Sequence, residues 1–345
     1  MPHLQVTGSG TAKAGPEGPA VAARPTSSVL THEDRWDHFL ARIGANRMGH
    51  RVVAGLYSLG RPTADSPVFV TANFTLSFDA LRSSLAGIDC YIIVLETYGI
   101  NVWCAAGKRT FGTDELVRRI EATGVGRVVS HRNLILPQLS APGVAAHEVA
   151  ERTGFHVEFG PVRARDLPEY LKTHVATPEM RRVTFTIRER MVQIPVELSQ
   201  AVLPMIAAAA AVFLLGGLVP AVAVIAAFLA GDVLFPILLP WLPTRDFTSK
   251  GLVLGFLVAV PFAVAVLLAS RLGAVWFRVY LAFVPILSLP PVTAYLALNF
   301  TGSTTFASRS GVKREMYRYI PALAVLAGVG ILLAIGYYFL RGKAL

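Results

Sequence analysis

Hydrophobic and polar positions follow two different rules along this chain, and the change falls near residue 197. Before it, short apolar runs alternate with amphipathic stretches. Residues 68–71 and 90–95 are unbroken apolar runs of strand length, while 76–86 and 114–122 repeat their apolar positions at helical spacing. The same alternation predicts a third strand at 127–129, a helix at 143–152, a fourth strand at 155–158, a helix at 167–172 and a last strand at 183–187. Unbroken apolar strands separated by helices predict an α/β fold with a Rossmann-like, mostly parallel sheet covered on both faces. Ligands of such sheets bind beyond the carboxyl ends of the strands. Thr71, Asn73, Thr97, Cys104 and His131 are expected to gather at that edge.

After residue 197 the chain changes solvent. A membrane span needs about 20 apolar residues, and five stretches qualify: 198–219, 221–241, 251–270, 274–300 and 319–340. They predict an all-α transmembrane domain of five helices, its first two joined as a hairpin at Pro220. The expected organisation is a disordered leader over 1–31, an α/β domain over 32–197 and the transmembrane domain over 198–345. The leader is rich in Gly, Ala, Pro, Ser and Thr without apolar period. A short amphipathic helix is expected at 33–43, with Trp36, Phe39 and Leu40 on one side.

Charge sharpens this division. Residues 1–197 carry 41 charged side chains and residues 198–345 only 13, of which 10 are basic. Most of the net charge of +10 therefore belongs to loops beside membrane spans, which disfavours a nucleic-acid surface. Arg245, Lys250, Arg309, Lys313, Arg314 and Arg318 lie on one side, against Arg271, Arg278, Arg341 and Lys343 on the other. The positive-inside rule then keeps the α/β domain in the cytoplasm, at the inner membrane, with the C-terminus outside. The N-terminus shows no apolar secretory core. Asp232 lies inside the second span, where a carboxylate is either functional or hydrogen-bonded within the bundle.

Only Cys90 and Cys104 are present, too few for a disulfide framework, a zinc site or an iron–sulfur cluster on this chain. Cys90 opens an apolar strand and reads as core. Cys104 stands in different company: Gly99 allows a sharp turn after the strand, and Asn101 is a good helix cap. Cys104 then falls at the third helical position, where an unpaired N–H and the helix dipole favour a thiolate. Asn101, Cys104 and Lys108 share one face, with Trp103 and Gly107 turned elsewhere. No Gly-x-Gly-x-x-Gly, Walker or Asp-x-His-x-x-Gly pattern offers another ligand site.

The run Asn101-Val102-Trp103-Cys104-Ala105-Ala106-Gly107-Lys108 resembles the signature of the mercury-methylation corrinoid protein family HgcA. Stretches 55–60, 70–73, 76–82, 137–139, 143–147, 160–164 and 299–303 resemble that family too, so the likeness spans roughly 50 to 340. Tyr98 and Arg109 depart from the family pattern, at the rim of the site. The resemblance implies a base-off corrinoid of the cobalamin type, with Cys104 as catalytic residue and lower axial ligand of the cobalt. It implies cofactor contacts from Asn101, Val102, Trp103, Ala105, Lys108, Thr71, Asn73 and Thr97. It further implies a corrinoid-dependent methyltransferase that passes a methyl group from methyl-tetrahydrofolate or a related carrier to Hg(II). Re-reduction of the cobalt then falls to HgcB, a ferredoxin-like partner with two [4Fe–4S] clusters. A corrinoid methyl carrier of one-carbon metabolism with a non-mercury acceptor would need the same Cys-ligated cobalt. A membrane transporter is disfavoured, because residues 198–345 hold no Cys and one carboxylate well inside a span.

Overall fold

The computed structural model describes residues 22–46, 48–269, 272–304 and 307–344. In chain order these form β1 (Arg24–Thr26), α1 (His32–Arg42), β2 (Gly55–Leu59), β3 (Val68–Ala72), α2 (Thr75–Ser84), β4 (Cys90–Leu95), α3 (Val102–Lys108), α4 (Thr113–Thr123), β5 (Asn133–Leu136), α5 (Ala146–Thr153), β6 (His156–Phe159) and α6 (Leu167–Thr173). There follow α7 (Pro178–Arg181), α8 (Ile187–Met191), α9 (Ile194–Gly216), α10 (Leu218–Leu229), α11 (Phe235–Leu238), α12 (Phe247–Leu268), α13 (Val275–Asn299) and α14 (Arg309–Ala344). The chain divides into two compact units. One holds the described residues up to Val29 together with Val52–Ala176; the other holds Leu30–Arg51 and the described residues from Thr177 onward.

The first unit is a six-stranded sheet in the order β1-β2-β4-β3-β5-β6. Strands β4, β3, β5 and β6 are mutually parallel, whereas β2 runs antiparallel to β4 and carries β1 parallel to itself. The sheet is thus mixed, a correction to the mostly parallel expectation at one edge. β1 lies within the segment expected to be a disordered leader. It contains no large apolar side chain, so backbone pairing with β2 is what orders it, and the Arg82 guanidinium binds the carbonyls of Ser27 and Val29 just beyond it. Residues 1–21 of that leader lie outside the described residues.

Two further strands need correcting. Residues 125–127 form a 3₁₀ turn whose Val125 is buried, and the strand expected there lies later, at β5. A turn can bury apolar side chains as well as a strand can, so hydrophobicity alone misplaced it. Residues 183–187 form no strand; Thr186 caps α8 through a reciprocal pair of hydrogen bonds with Glu189, a local signal that overrides the β-branched run.

Both faces of the sheet are covered. Val70, Ile93, Leu95 and Leu134 join Leu116, Val117 and Ile120 of α4 and Val149 of α5 in one core cluster. On the alternate pleat Phe69, Ile92 and Ile135 are also buried, as are Phe78 and Leu81 of α2 and Tyr170 of α6. The chain steps from β3 to β4 on one side, then crosses back over β3 to β5 and on to β6 on the other. The direction of winding therefore reverses between β3 and β5, and ligands of such sheets bind beyond the carboxyl ends of the strands at such a point.

The second unit contains five helices long and apolar enough to cross a membrane: Ile187–Gly216, Leu218–Leu238, Phe247–Leu268, Val275–Ser303 and Ser310–Leu340. The hairpin between the first two turns at Gly217 (φ 83°) rather than at Pro220, which sits in the first turn of α10. There its missing N–H costs nothing, because the first helical N–H groups have no intrahelical partner. The helix expected at 33–43 is α1, capped by a reciprocal Thr31–Asp34 pair, with Trp36 and Phe39 stacked at 5.3 Å.

Candidate functional site

The site begins where β4 ends. Residues 97–100 form a tight turn closed by Ile100 N–H donating to the Thr97 carbonyl at 3.2 Å, with Tyr98 (φ 59°) and Gly99 (φ 72°) both left-handed. Two such residues in succession are what a type I′ turn demands. Glycine accepts this freely, but a side-chain-bearing residue there costs about 1 kcal/mol. Neighbouring bonds hold Tyr98 in place.

Asn73, directly after β3 and 1% exposed, supplies most of them. Its Oδ1 accepts from Thr97 N at 3.1 Å and Gly99 N at 3.0 Å and lies 2.9 Å from the Thr97 hydroxyl. Its Nδ2 donates to Glu96 Oε1 at 2.7 Å, and that oxygen also accepts from Tyr98 N at 2.9 Å. The Thr97 hydroxyl is also within 2.8 Å of the Ile100 carbonyl. The Glu96 N–H donates to Glu115 of α4 at 2.8 Å.

This braced turn launches α3. Asn101 has an extended backbone and its Oδ1 accepts from Cys104 N at 2.9 Å, a side-chain cap. The Cys104 N–H is therefore satisfied by Asn101 rather than unpaired as the sequence suggested, leaving the helix dipole as the contribution of this turn to a thiolate. Val102, Ala105 and Ala106 are buried, Trp103 and Cys104 are half-buried, and Asn101, Gly107 and Lys108 are exposed. Positions 101, 104 and 108 thus form the open face of the helix.

α3 packs against β3 and against the 3₁₀ turn Gln138–Ser140 that follows β5. Although it leaves β4, it thus lies beside β3 and the segment after β5, where the direction of winding reverses. Its far end is clasped by the loop at Gly143, where a Cβ would meet Phe111 O at 2.3 Å and Ala106 Cα at 3.0 Å. Only glycine admits that approach. The Gly143 carbonyl accepts from Thr113 N, and the Thr113 hydroxyl accepts from Ala145 N.

The expected site residues therefore separate. Asn101, Trp103, Cys104 and Lys108 line or border the open face. Thr71, Asn73, Thr97, Val102 and Ala105 are buried behind it. His131 is at the opposite edge, its ring bonded to the Ser66 carbonyl near the amino end of β3; misplacing the third strand had brought it to the wrong side. Cys90 is fully buried at the start of β4, and burial together with Asp89 pushes its pKa up to about 12, so it stays a thiol. Glu96, Glu115 and Gly143 escaped the sequence reading. Glu115 looked like an ordinary acidic residue in a first helical turn, and Gly143 was read as the first residue of a helix that in fact begins at Ala146. Among the described residues no group of three or more His, Cys, Asp or Glu converges on a metal-sized site.

Residues 46–171 match the sequence family of the CO dehydrogenase/acetyl-CoA synthase delta subunit, CdhD. The acetyl-CoA decarbonylase/synthase complex subunit gamma of Methanopyrus kandleri is 34% identical over 128 residues, 36% of this chain and 27% of that protein. The corresponding subunit of Methanosarcina acetivorans is 30% identical over 125 residues, 35% of this chain and 26% of that protein. That of Methanothermobacter thermautotrophicus is 32% identical over 129 residues, 36% of this chain and 27% of that protein. The chain spans about a quarter of the length of these relatives.

These similarities correct the reading drawn from the HgcA resemblance. The family match contains the Cys104 turn on which that resemblance rested, and it points to the decarbonylase/synthase complex instead. A mercury-methylating methyltransferase, Hg(II) as acceptor and HgcB as electron donor are withdrawn with it.

Proposed function

We propose that this chain is a membrane-anchored corrinoid methyl carrier of one-carbon metabolism, serving an acceptor other than mercury. Its partners are then subunits akin to those of the acetyl-CoA decarbonylase/synthase complex. The observation that carries the reading is the position of Cys104: a half-buried sulfur on a capped helical turn, beside the point where the direction of winding reverses, within the segment matched to CdhD.

The donor set suits a corrinoid. A thiolate is a soft, strongly donating ligand for a late first-row metal such as cobalt, and Cys90 is too buried to compete. A bound corrinoid would supply a cobalt centre able to accept a methyl group and hand it on. The residues of this chain would do the rest. Cys104 would ligate the metal. Asn101 fixes the turn from which the sulfur projects, and Trp103 and Lys108 would contact the corrinoid. Asn73 and Thr97 act as positioning residues, holding the Tyr98–Gly99 turn without touching the cofactor. Thr71, Val102 and Ala105 anchor the elements on which the site stands.

The five apolar helices support a multi-pass membrane anchor. The basic loops favour an arrangement with the α/β unit on the cytoplasmic side, which membrane-impermeant labelling of single cysteines placed in each loop would test.

The functional test is an absorption spectrum of the purified full chain incubated with cobinamide, beside the Cys104→Ala variant. Retention of the corrinoid through desalting, with a cobalt spectrum that changes in the variant, is the expected result. An identical spectrum and equal retention in both proteins would remove Cys104 from the site.

A further inference from the structure

A second candidate site lies in the membrane-spanning unit. Between α10 and α11 the helix widens into a π-helical turn, Ala230–Leu234, that carries Asp232. Such turns shift a side chain out of the ordinary helical register and recur at functional positions. Asp232 is 5% exposed, and its Oδ2 is buried with no hydrogen-bond partner among the described residues. A carboxylate in that condition is costly, because neither water nor a donor offsets the loss of hydration.

Five helices pack against this turn, namely α9, α10, α11, α12 and α13. α10 and α11 carry no titratable residue. On α12, Lys250 is committed to the carbonyls of Leu239 and Leu242. On α13, Gly231 abuts Leu296, about 27 Å along the helix from Arg278 at 1.5 Å per residue. Arg278 in turn donates to the Leu267 carbonyl. Also on α13, the Tyr280 hydroxyl donates to the Leu333 carbonyl, and Tyr295 is half exposed. The charge that does act on Asp232 comes from α9 and is another carboxylate, Glu197, which accepts a hydrogen bond from Ser303. The charge acting on Asp232 is thus of its own sign, and the buried Arg190 of α8 is committed to the Pro236 and Phe185 carbonyls, so among the described residues no basic group is hydrogen-bonded to its inner oxygen.

We propose that Asp232 is a proton-binding site of the membrane-spanning unit. A proton fits where a metal ion does not, because a metal needs several converging ligands and among the described residues no group of three acidic, His or Cys side chains is found. Proton uptake converts the unpartnered oxygen into a neutral hydroxyl and relieves the repulsion from Glu197. This reading is independent of the corrinoid site, since it concerns the other unit.

Infrared spectroscopy of the full chain in lipid nanodiscs tests it. At neutral pH the wild type should show the carbonyl stretch of a protonated carboxylic acid, which Asp232→Asn removes and which added Na⁺, K⁺, Mg²⁺ or Ca²⁺ leaves unchanged. Wild-type protein carrying ¹³C-labelled aspartate gives a second reading that needs no variant: the same band must shift with the label. A band that survives in Asp232→Asn, ignores the aspartate label, or vanishes on adding a metal ion would overturn the proposal.

Discussion

The Oδ1 of Asn73 and the hydroxyl of Thr97 lie 2.9 Å apart, both buried, and join the end of β3 to the turn that follows β4. Asn73 lies at the carboxyl end of one strand, yet it organises the loop leaving its neighbour. Replacing it by Ala leaves the Thr97 and Gly99 N–H groups without their acceptor and removes one of the two donors to Glu96 Oε1. Each stranded buried group costs about 1–3 kcal/mol. Asn73→Ala should therefore lower the thermal midpoint of the α/β unit by several degrees and reduce corrinoid retention, while Thr97→Val should cost only about 1 kcal/mol. Circular dichroism melts of the two variants in detergent, paired with cobinamide retention, check the order.

The cap of α3 makes a smaller and more local contribution. Asn101→Ala should destabilise by about 1 kcal/mol, and Asn101→Asp should restore most of it, because the aspartate oxygen accepts the same Cys104 N–H. If Cys104 binds cobalt, the Ala variant should also bind cobinamide more weakly at unchanged stoichiometry. A titration followed by absorbance measures this.

Two glycines of the site should respond in opposite ways. Gly143→Ala drives a Cβ against backbone atoms of Phe111 and Ala106 and should displace α3, with a marked drop in melting temperature. Gly107→Ala meets open space within a helix and should be neutral or stabilise by about 0.5–1 kcal/mol. Parallel melts of the two variants make the comparison.

His50 should make stability depend on pH. Its Nδ1 is 2.6 Å from Asp37 and its Nε2 is 2.6 Å from the Ala45 carbonyl, so both ring nitrogens face acceptors and both must donate. Burial opposes the resulting charge, but the hydrogen bonds to Asp37 and Ala45 and the Asp37 charge outweigh it and raise the pKa. The stabilisation is therefore complete below the unfolded value of about 6.5 and is lost as pH rises through the folded value. The wild-type melting temperature should fall over that range, and His50→Gln should flatten the dependence.

Much of the architecture was legible in residue order because it follows from local pattern. The run Cys90–Leu95 is buried along its whole length and became β4 at its expected limits. α1, α2, α4, α5 and α6 fell within a few residues of their periodic signals, and five apolar helices of membrane length appear where hydropathy placed them. The cap of α3 was equally local, since Asn101 and Cys104 stand three residues apart. What escaped depends on partners far away in the chain. β1 has nothing to recommend it except β2, and neither the antiparallel turn of β2 nor the 3₁₀ turn at 125–127 carries a mark in its own residues.

The order of residues by itself determined that alternating strands and helices precede five apolar helices of membrane length, because both patterns are read from spacing and run length. It also determined that Cys104 would begin a capped helical turn, since a cap is made within three residues. Only the tertiary structure decided that this turn packs against β3 and the segment after β5, that Asn73 braces it from another strand, and that among the described residues no donor reaches the inner oxygen of Asp232. Those facts rest on hydrogen bonds and contacts between residues brought together by the packing of whole elements, which no local pattern encodes.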